Sequence, residues 1–299
     1  MSGGLVLGLV DTSVSEIRRI AVLGPGLLGG SVALAVTKRL PECSVVLWGR
    51  NEERVDQIRR GGSVEATCDL AQAVSSAELV VLAVPVGAMG PLGKQVLKNG
   101  LLPAVCVTDV GSVKSSAHES IGRLVSDHGH SFIGSHPMAG SERSGFAAAD
   151  PDLFAGAPCI LTNDHNRPEQ EVQRLATFWK DLGARTAVMK ACEHDRLVAR
   201  ISHVPHILSA VCALIALQRP QDGDYAGQGL RDTSRVGGGD PRMWTEILLE
   251  NREQIADPLR ESASALHHLA DLLDAEEEGG IMSLLEKGQR HRRLLDLEK

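Results

Sequence analysis

Aromatic side chains make up only 3% of the 299 residues: one Tyr, three Trp and four Phe. So small a supply leaves little on which bases could stack, which argues against a single-strand nucleic-acid binder. Positive charge is also in deficit, with 31 Lys and Arg against 38 Asp and Glu and a net charge of -7. A nucleic-acid surface requires the opposite balance. The six cysteines, at 43, 68, 106, 159, 192 and 212, form no CxxC pair. They read as small buried hydrophobes, with no metal site and no disulfide frame expected.

Long apolar runs are scarce too. "LVLGLV" at 5–10 is too short for a signal peptide and no basic residue precedes it, so residues 1–15 read as a loose arm. "ISHVPHILSAVCALIALQ" at 201–218 has no formal charge over eighteen residues, a borderline length for a bilayer. It contains two histidines and a proline, and no second such run exists. The expectation is a buried helix in a soluble, cytoplasmic enzyme that handles small molecules, with no membrane and no nucleic acid among its partners.

What the chain does have is rhythm. Short β-type runs at 18–24, 44–49, 78–85, 104–110, 131–136 and 157–162 alternate with helix-like segments near 28–39, 51–60, 113–127 and 168–182, and "TAVMK" at 186–190 reads as a last strand. That alternation predicts an α/β fold, a Rossmann-type dinucleotide-binding domain with a parallel sheet over 16–190. Beyond 190 the β signal stops. Helical patterns at 191–218, 241–256 and 257–276, then a charged terminal helix, predict an all-α domain over 191–299. "DPRMW" marks a helix start, with Asp240 as cap and Pro241 in the first turn. "EEEGG" at 276–280 reads as a solvated helix end.

The first chemical signal is "VLGPGLLGGS". Gly24, Gly26 and Gly29 match G-x-G-x-x-G between a strand and a helix, where the spacing permits a tight turn, close approach of a pyrophosphate and close helix–strand packing. The helix N-terminus adds donors and a favourable dipole for phosphate. Leu27, Leu28 and Ser31 in the helix start, with Val84 and Pro85 at the end of "ELVVLAVP", complete the expected dinucleotide contacts. An acid is expected about 20 residues on, to hold the ribose hydroxyls of NAD. Gly49 stands there instead, followed by Arg50 and Asn51. This favours NADP, with NAD as the alternative if Glu52 or Glu53 reaches the ribose.

Two further stretches, "TDVGSVK" at 108–114 and "GSHPMAGSERSG" at 134–145, follow strand-like runs, where open parallel sheets bind their ligands. The second reads as a loop, with His136 beside its glycines and proline. Ser112 reads as a helix cap or a site residue.

"GPGLLGGS", "DVGSVK", "SHPMAGSERSG", "LFAGAPCILT", "SHVPH" and "RDTSRVGGGDPRMW" together resemble, in order and spacing from about residue 18 to 275, the prephenate/arogenate dehydrogenase family of tyrosine biosynthesis. The resemblance implies oxidative decarboxylation of prephenate or arogenate with hydride passing to NAD(P)⁺. It implies that His136 takes the substrate hydroxyl proton and that Ser112 orients His136 or touches the nicotinamide. Ser141 and Glu142 would line the side-chain end of the pocket. Arg235 would grip the ring carboxylate with Asp232 fixing its orientation, while His206 and His203 approach from the helical half and Trp244 lies near the site in its own or the second subunit. It further implies a homodimer formed through that half. The nearest rival, a β-hydroxyacid dehydrogenase, would need a lysine where "ACEHDRLVARISHVPH" has none. A non-catalytic NADP-binding sensor is the other alternative.

Overall fold

Side chains that alternate across each strand build the first domain. In the computed structural model, which describes residues 17–140 and 143–296, β1 is Arg19–Leu23, β2 Ser44–Trp48, β3 Glu65–Thr67, β4 Leu79–Leu82, β5 Cys106–Asp109 and β6 Ser131–Phe132. The arm expected at 1–15 and the pair Ser141 and Glu142 lie outside the described residues. On β4, Leu79 and Val81 enter one core layer with Val36, Phe178 and Trp179, while Val80 and Leu82 enter the other with Met89, Ile121 and Phe132. Burying such a side chain contributes about 1.5–3 kcal/mol. A sheet covered on both faces therefore reads as near-continuous apolar runs.

All six strands run parallel in the order β3-β2-β1-β4-β5-β6. The winding reverses between β1 and β4, which opens a crevice at their carboxyl ends. Helix Leu27–Arg39 leads away from that point, and Glu52–Gly61 and Glu169–Asp181 lie close to their expected bounds. Helix Val86–Lys98 carries no sequence signal, because three glycines and Pro91 read as loop. Packing explains the composition: a Cβ on Gly93 would come within 1.9 Å of Ile121, so glycine lets this helix lie against the one at 115–127.

The run 131–136 is not one strand. Ile133 still donates to Val107 of the first sheet, but the chain then changes sheets. β7, Gly134–Pro137, pairs antiparallel with β8, Pro158–Thr162, which runs parallel to β9, Arg185–Met189. His136 is therefore a buried strand residue opposite Ile160, where the sequence suggests a loop.

The second domain opens with one helix, Ala191–Ala216, interrupted by a π turn at Ala199–His203. Helices Gln228–Ser234, Pro241–Glu250, Arg252–Asp274 and Glu278–Arg293 follow. Asp240 caps as expected, accepting from the amides of Arg242 and Met243. The next break falls at Asn251 rather than near 256, and the Asn251 side chain is buried there. "EEEGG" closes one helix and begins the next: Glu276, at φ +53°, and Glu277 donate back to Leu273 and Leu272, while Glu278 to Gly280 open the last helix. The uncharged helix departs from expectation most. Only 33% of its apolar window is buried, and Leu214 and Ile215 are 72% and 62% exposed. Leu266, Leu273 and Leu285 are open as well, and among the described residues the domain's own buried cluster is Ala199, Val204 and Ile255, with Ile207, Leu248 and Leu259 packed partly buried against it.

Candidate active site

The glycine loop joins β1 to its helix where the two central strands end. Gly24 has φ +126°, and a Cβ there would lie 2.2 Å from the Ala83 carbonyl beyond β4. A Cβ on Gly29 would lie 2.0 Å from the Gly24 carbonyl, whereas the space beside Gly26 is open. Gly26 is the N-cap of a helix with no side-chain cap, so its first amides remain for a ligand. The loop fits a dinucleotide pyrophosphate. Leu27 and Leu28 are half-buried at this helix start, with Val84 and exposed Pro85 across the crevice. Ser31 is fully buried and its hydroxyl accepts the Asp150 amide.

The missing acid after β2 has a steric cause. A Cβ on Gly49 would stand 2.8 Å from Cγ of Pro25, inside the glycine loop. Arg50 is exposed beside it, and Asn51 uses its carbonyl oxygen to cap helix Glu52–Gly61 through the Arg54 amide at 2.9 Å.

Beyond β5 lies a buried chain of polar groups. His136 Nδ1 meets His194 Nε2 at 2.8 Å, and His194 Nδ1 meets Asp195 Oδ1 at 2.8 Å. The Asp195 carboxylate also accepts the amides of Lys114 and Ser115, each at 2.8 Å. It thereby caps the helix over 115–127. The expected cap, Ser112, lies outside that helix. Lys114, fully buried, pairs with Asp109 and donates to the Ser135 carbonyl at 2.7 Å, pinning β7 one residue before His136. Burial, with His194 and Lys114 nearby, pushes the His136 pKa well below its usual value, so the ring is neutral near pH 7. His194 is also lowered by burial, against the opposing Asp195 bond. Burial works upward on Asp195, yet the bonds from His194 and Ser115 hold it below the usual carboxylate range.

Asn251 links this chain to the helical domain, donating to the Asp195 carbonyl at 2.8 Å and meeting His203 Nδ1 at 3.1 Å. The π turn makes this possible. Nine residues along an unbroken α-helix place His194 and His203 about 180° apart; absorbing one residue leaves about 80°. Burial lowers His203 to about 4. The ring of His206 stacks on Trp244 of the same chain, centroids 3.5 Å apart and planes 8° apart, and His203 meets that indole edge-on at 6.1 Å. Arg235 is exposed at the end of helix Gln228–Ser234. The expected Asp232–Arg235 pair does not form: Asp232 accepts from Gln228 at 2.7 Å instead, one helical turn away.

A family model described as "Prephenate dehydrogenase, nucleotide-binding domain" matches residues 32–188, and one described as "Prephenate dehydrogenase, dimerization domain" matches 190–287. The chain belongs to the prephenate dehydrogenase family. Prephenate dehydrogenase of Lactococcus lactis subsp. cremoris is 32% identical over 288 residues, 95% of this chain and 79% of that one. The A. aeolicus prephenate dehydrogenase in complex with hydroxyphenyl propionate and NAD+ superposes with TM-score 0.83 at 26% identity, covering 93% of this chain and 98% of that one. Synechocystis arogenate dehydrogenase gives 0.77 at 29% identity, covering 93% and 100%.

In this prephenate dehydrogenase family member, His136, His194, Asp195, His203 and Asn251 form one connected cluster, with His206 joined to it through Trp244. Ser112 makes no described bond to His136; His194 orients that ring. Sequence reasoning missed His194, Asp195, Lys114 and Asn251. The available signal was "HD" at the start of a long helix just after the last strand.

Proposed function

We propose that the chain oxidises prephenate or arogenate at the hydroxyl-bearing ring carbon, with loss of the ring carboxylate as CO₂, and that His136 is the base. The observation that carries this is His136 itself: buried, neutral near pH 7 and engaged at Nδ1, which leaves Nε2 for a substrate hydroxyl. A bound nicotinamide dinucleotide supplies the hydride acceptor. As the hydroxyl-bearing carbon becomes a ketone, its O–H proton passes to His136 Nε2. The C–CO₂ bond then breaks, and its electron pair completes an aromatic ring whose oxygen ends as a phenol. Aromaticity drives that second step, so the residues need mainly to hold substrate and take one proton.

Arg235 binds the ring carboxylate, its planar fork suiting a bidentate contact. His206, backed by Trp244, and His203 face the substrate from the helical side. Ser112 would touch the nicotinamide and Asp232 the substrate, the roles that the family resemblance implies for them. The dinucleotide is NADP: Arg50, exposed next to a position too crowded for an acid, meets the 2′-phosphate. The chain acts as a cytoplasmic homodimer whose second copy covers the exposed apolar faces of the helical domain. The alternative without catalysis, a dinucleotide sensor, has no use for a tethered neutral histidine.

The test is a two-by-two assay of reduced-dinucleotide absorbance, with prephenate or arogenate and NAD⁺ or NADP⁺. Turnover with NADP⁺ upholds the cofactor reading, and the better substrate names the enzyme. Turnover with NAD⁺ alone removes the Arg50 argument. No turnover in any combination, from folded protein that still binds dinucleotide, favours the sensor.

A further inference from the structure

We propose that His194 and Asp195 are positioning residues that lock His136 in its Nδ1–H tautomer, so that the lone pair on Nε2 always faces the substrate. The inference rests on the reading of His136 as the base and deepens it.

The direction of every bond in the chain follows from its end. Asp195 is a carboxylate already accepting two backbone amides, so it can only accept from His194. His194 Nδ1 therefore carries the hydrogen at the 2.8 Å contact with Asp195. A neutral His194 then has its lone pair on Nε2, where it accepts from His136 Nδ1–H, also at 2.8 Å. The hydrogen of neutral His136 is thus committed to Nδ1. This is the reverse of the tautomer a free imidazole favours, and it is the form a base needs if substrate meets Nε2.

The anchors are rigid. Asp195 is fixed by the start of the helix over 115–127, and Asn251 holds the Asp195 carbonyl from the far side. His194 is fully buried and Asp195 is 2% exposed, so water does not compete for these bonds. When His136 takes the substrate proton, its Nδ1–H···Nε2 bond becomes charge-assisted, which strengthens it as the reaction proceeds.

The direct test is ¹⁵N NMR of histidine-labelled protein near pH 7, with the His136 signals assigned by their loss in His136→Asn. The expected result is an Nδ1–H tautomer in the parent. His194→Leu, which removes the acceptor, is expected to return His136 to the Nε2–H form and to cut kcat about 100-fold or more with KM little changed. His194→Gln, whose side-chain carbonyl reaches the same place, restores the tautomer and most of kcat. An Nε2–H ring in the parent overturns the proposal, as does a His194→Leu enzyme with unaltered kcat or a folded Gln variant no better than Leu. If His136→Asn itself leaves turnover intact, the base reading fails instead. An essential His136 with the wrong tautomer sinks only the relay.

Discussion

Replacing Gly49 with Asp installs the acid that NAD-binding folds carry after their second strand, and by sequence logic alone it should tighten NAD binding. The structure predicts failure. The new Cβ would stand 2.8 Å from Pro25 Cγ, 3.1 Å from Pro25 Cδ and 3.2 Å from Val55 Cγ2. Proline ring atoms cannot rotate away, so the glycine loop must move. Such overpacking costs about 1–3 kcal/mol. Drawn from stability, that amounts to a Tm loss of roughly 2–4 °C per kcal/mol for a chain of this size. Drawn from binding, it weakens both NADH and NADPH roughly 5- to 150-fold, at tenfold per 1.4 kcal/mol. Thermal melts and fluorescence titrations with each reduced dinucleotide measure the two effects, with Arg50→Ala as the comparison that loses NADPH affinity alone. A Gly49→Asp protein with parental Tm and tighter NADH binding would refute the steric argument.

Arg235→Ala should lower kcat/KM for the substrate roughly 10- to 150-fold through a lost charged contact of about 1.5–3 kcal/mol, with dinucleotide affinity unchanged in titrations. Asn251→Leu strands His203 Nδ1 in the interior and leaves the Asp195 carbonyl only the Ala199 amide, and it should cost about 1–3 kcal/mol in denaturant unfolding; an unchanged midpoint would contradict that bond pattern. Stability should fall with acid between pH 6.5 and 4. His203 and His118 are held near 4 by burial, so in this window the unfolded chain binds more protons, and each site costs roughly 1.4 kcal/mol per pH unit. A flat Tm across that range would show these rings charged when folded. Leu214→Glu, on the open face of the long helix, should shift sedimentation from dimer to monomer while leaving dinucleotide binding intact.

Most strands of the first domain were legible because a sheet covered on both faces leaves short apolar runs; β3, the three residues Glu65–Thr67, was missed because "EAT" holds no such run. Helix Val86–Lys98 was not: Gly93 serves contact with Ile121, and a local reading of its glycines and proline sees only helix breakers. His136 was legible as a site residue but placed in the wrong structure, since nothing in "SFIGSH" says that the chain changes sheets between Ile133 and Gly134. Asp195 was invisible because its role is tertiary: it caps a helix 80 residues away in sequence. The long uncharged helix misled in a different way. Its composition signals burial, yet only a third of its apolar stretch is buried, and Leu214 and Ile215 stand open.

The position of Asp195 bears on how such proteins can be recombined. A carboxylate from the helical domain closes the end of a helix in the dinucleotide domain and, through one imidazole, steadies a histidine there. The two domains are therefore not interchangeable cassettes. A hybrid that grafts another protein's helical half onto this dinucleotide half leaves His136 without its partner unless the graft brings its own acid and histidine to the same points, whatever its fit elsewhere.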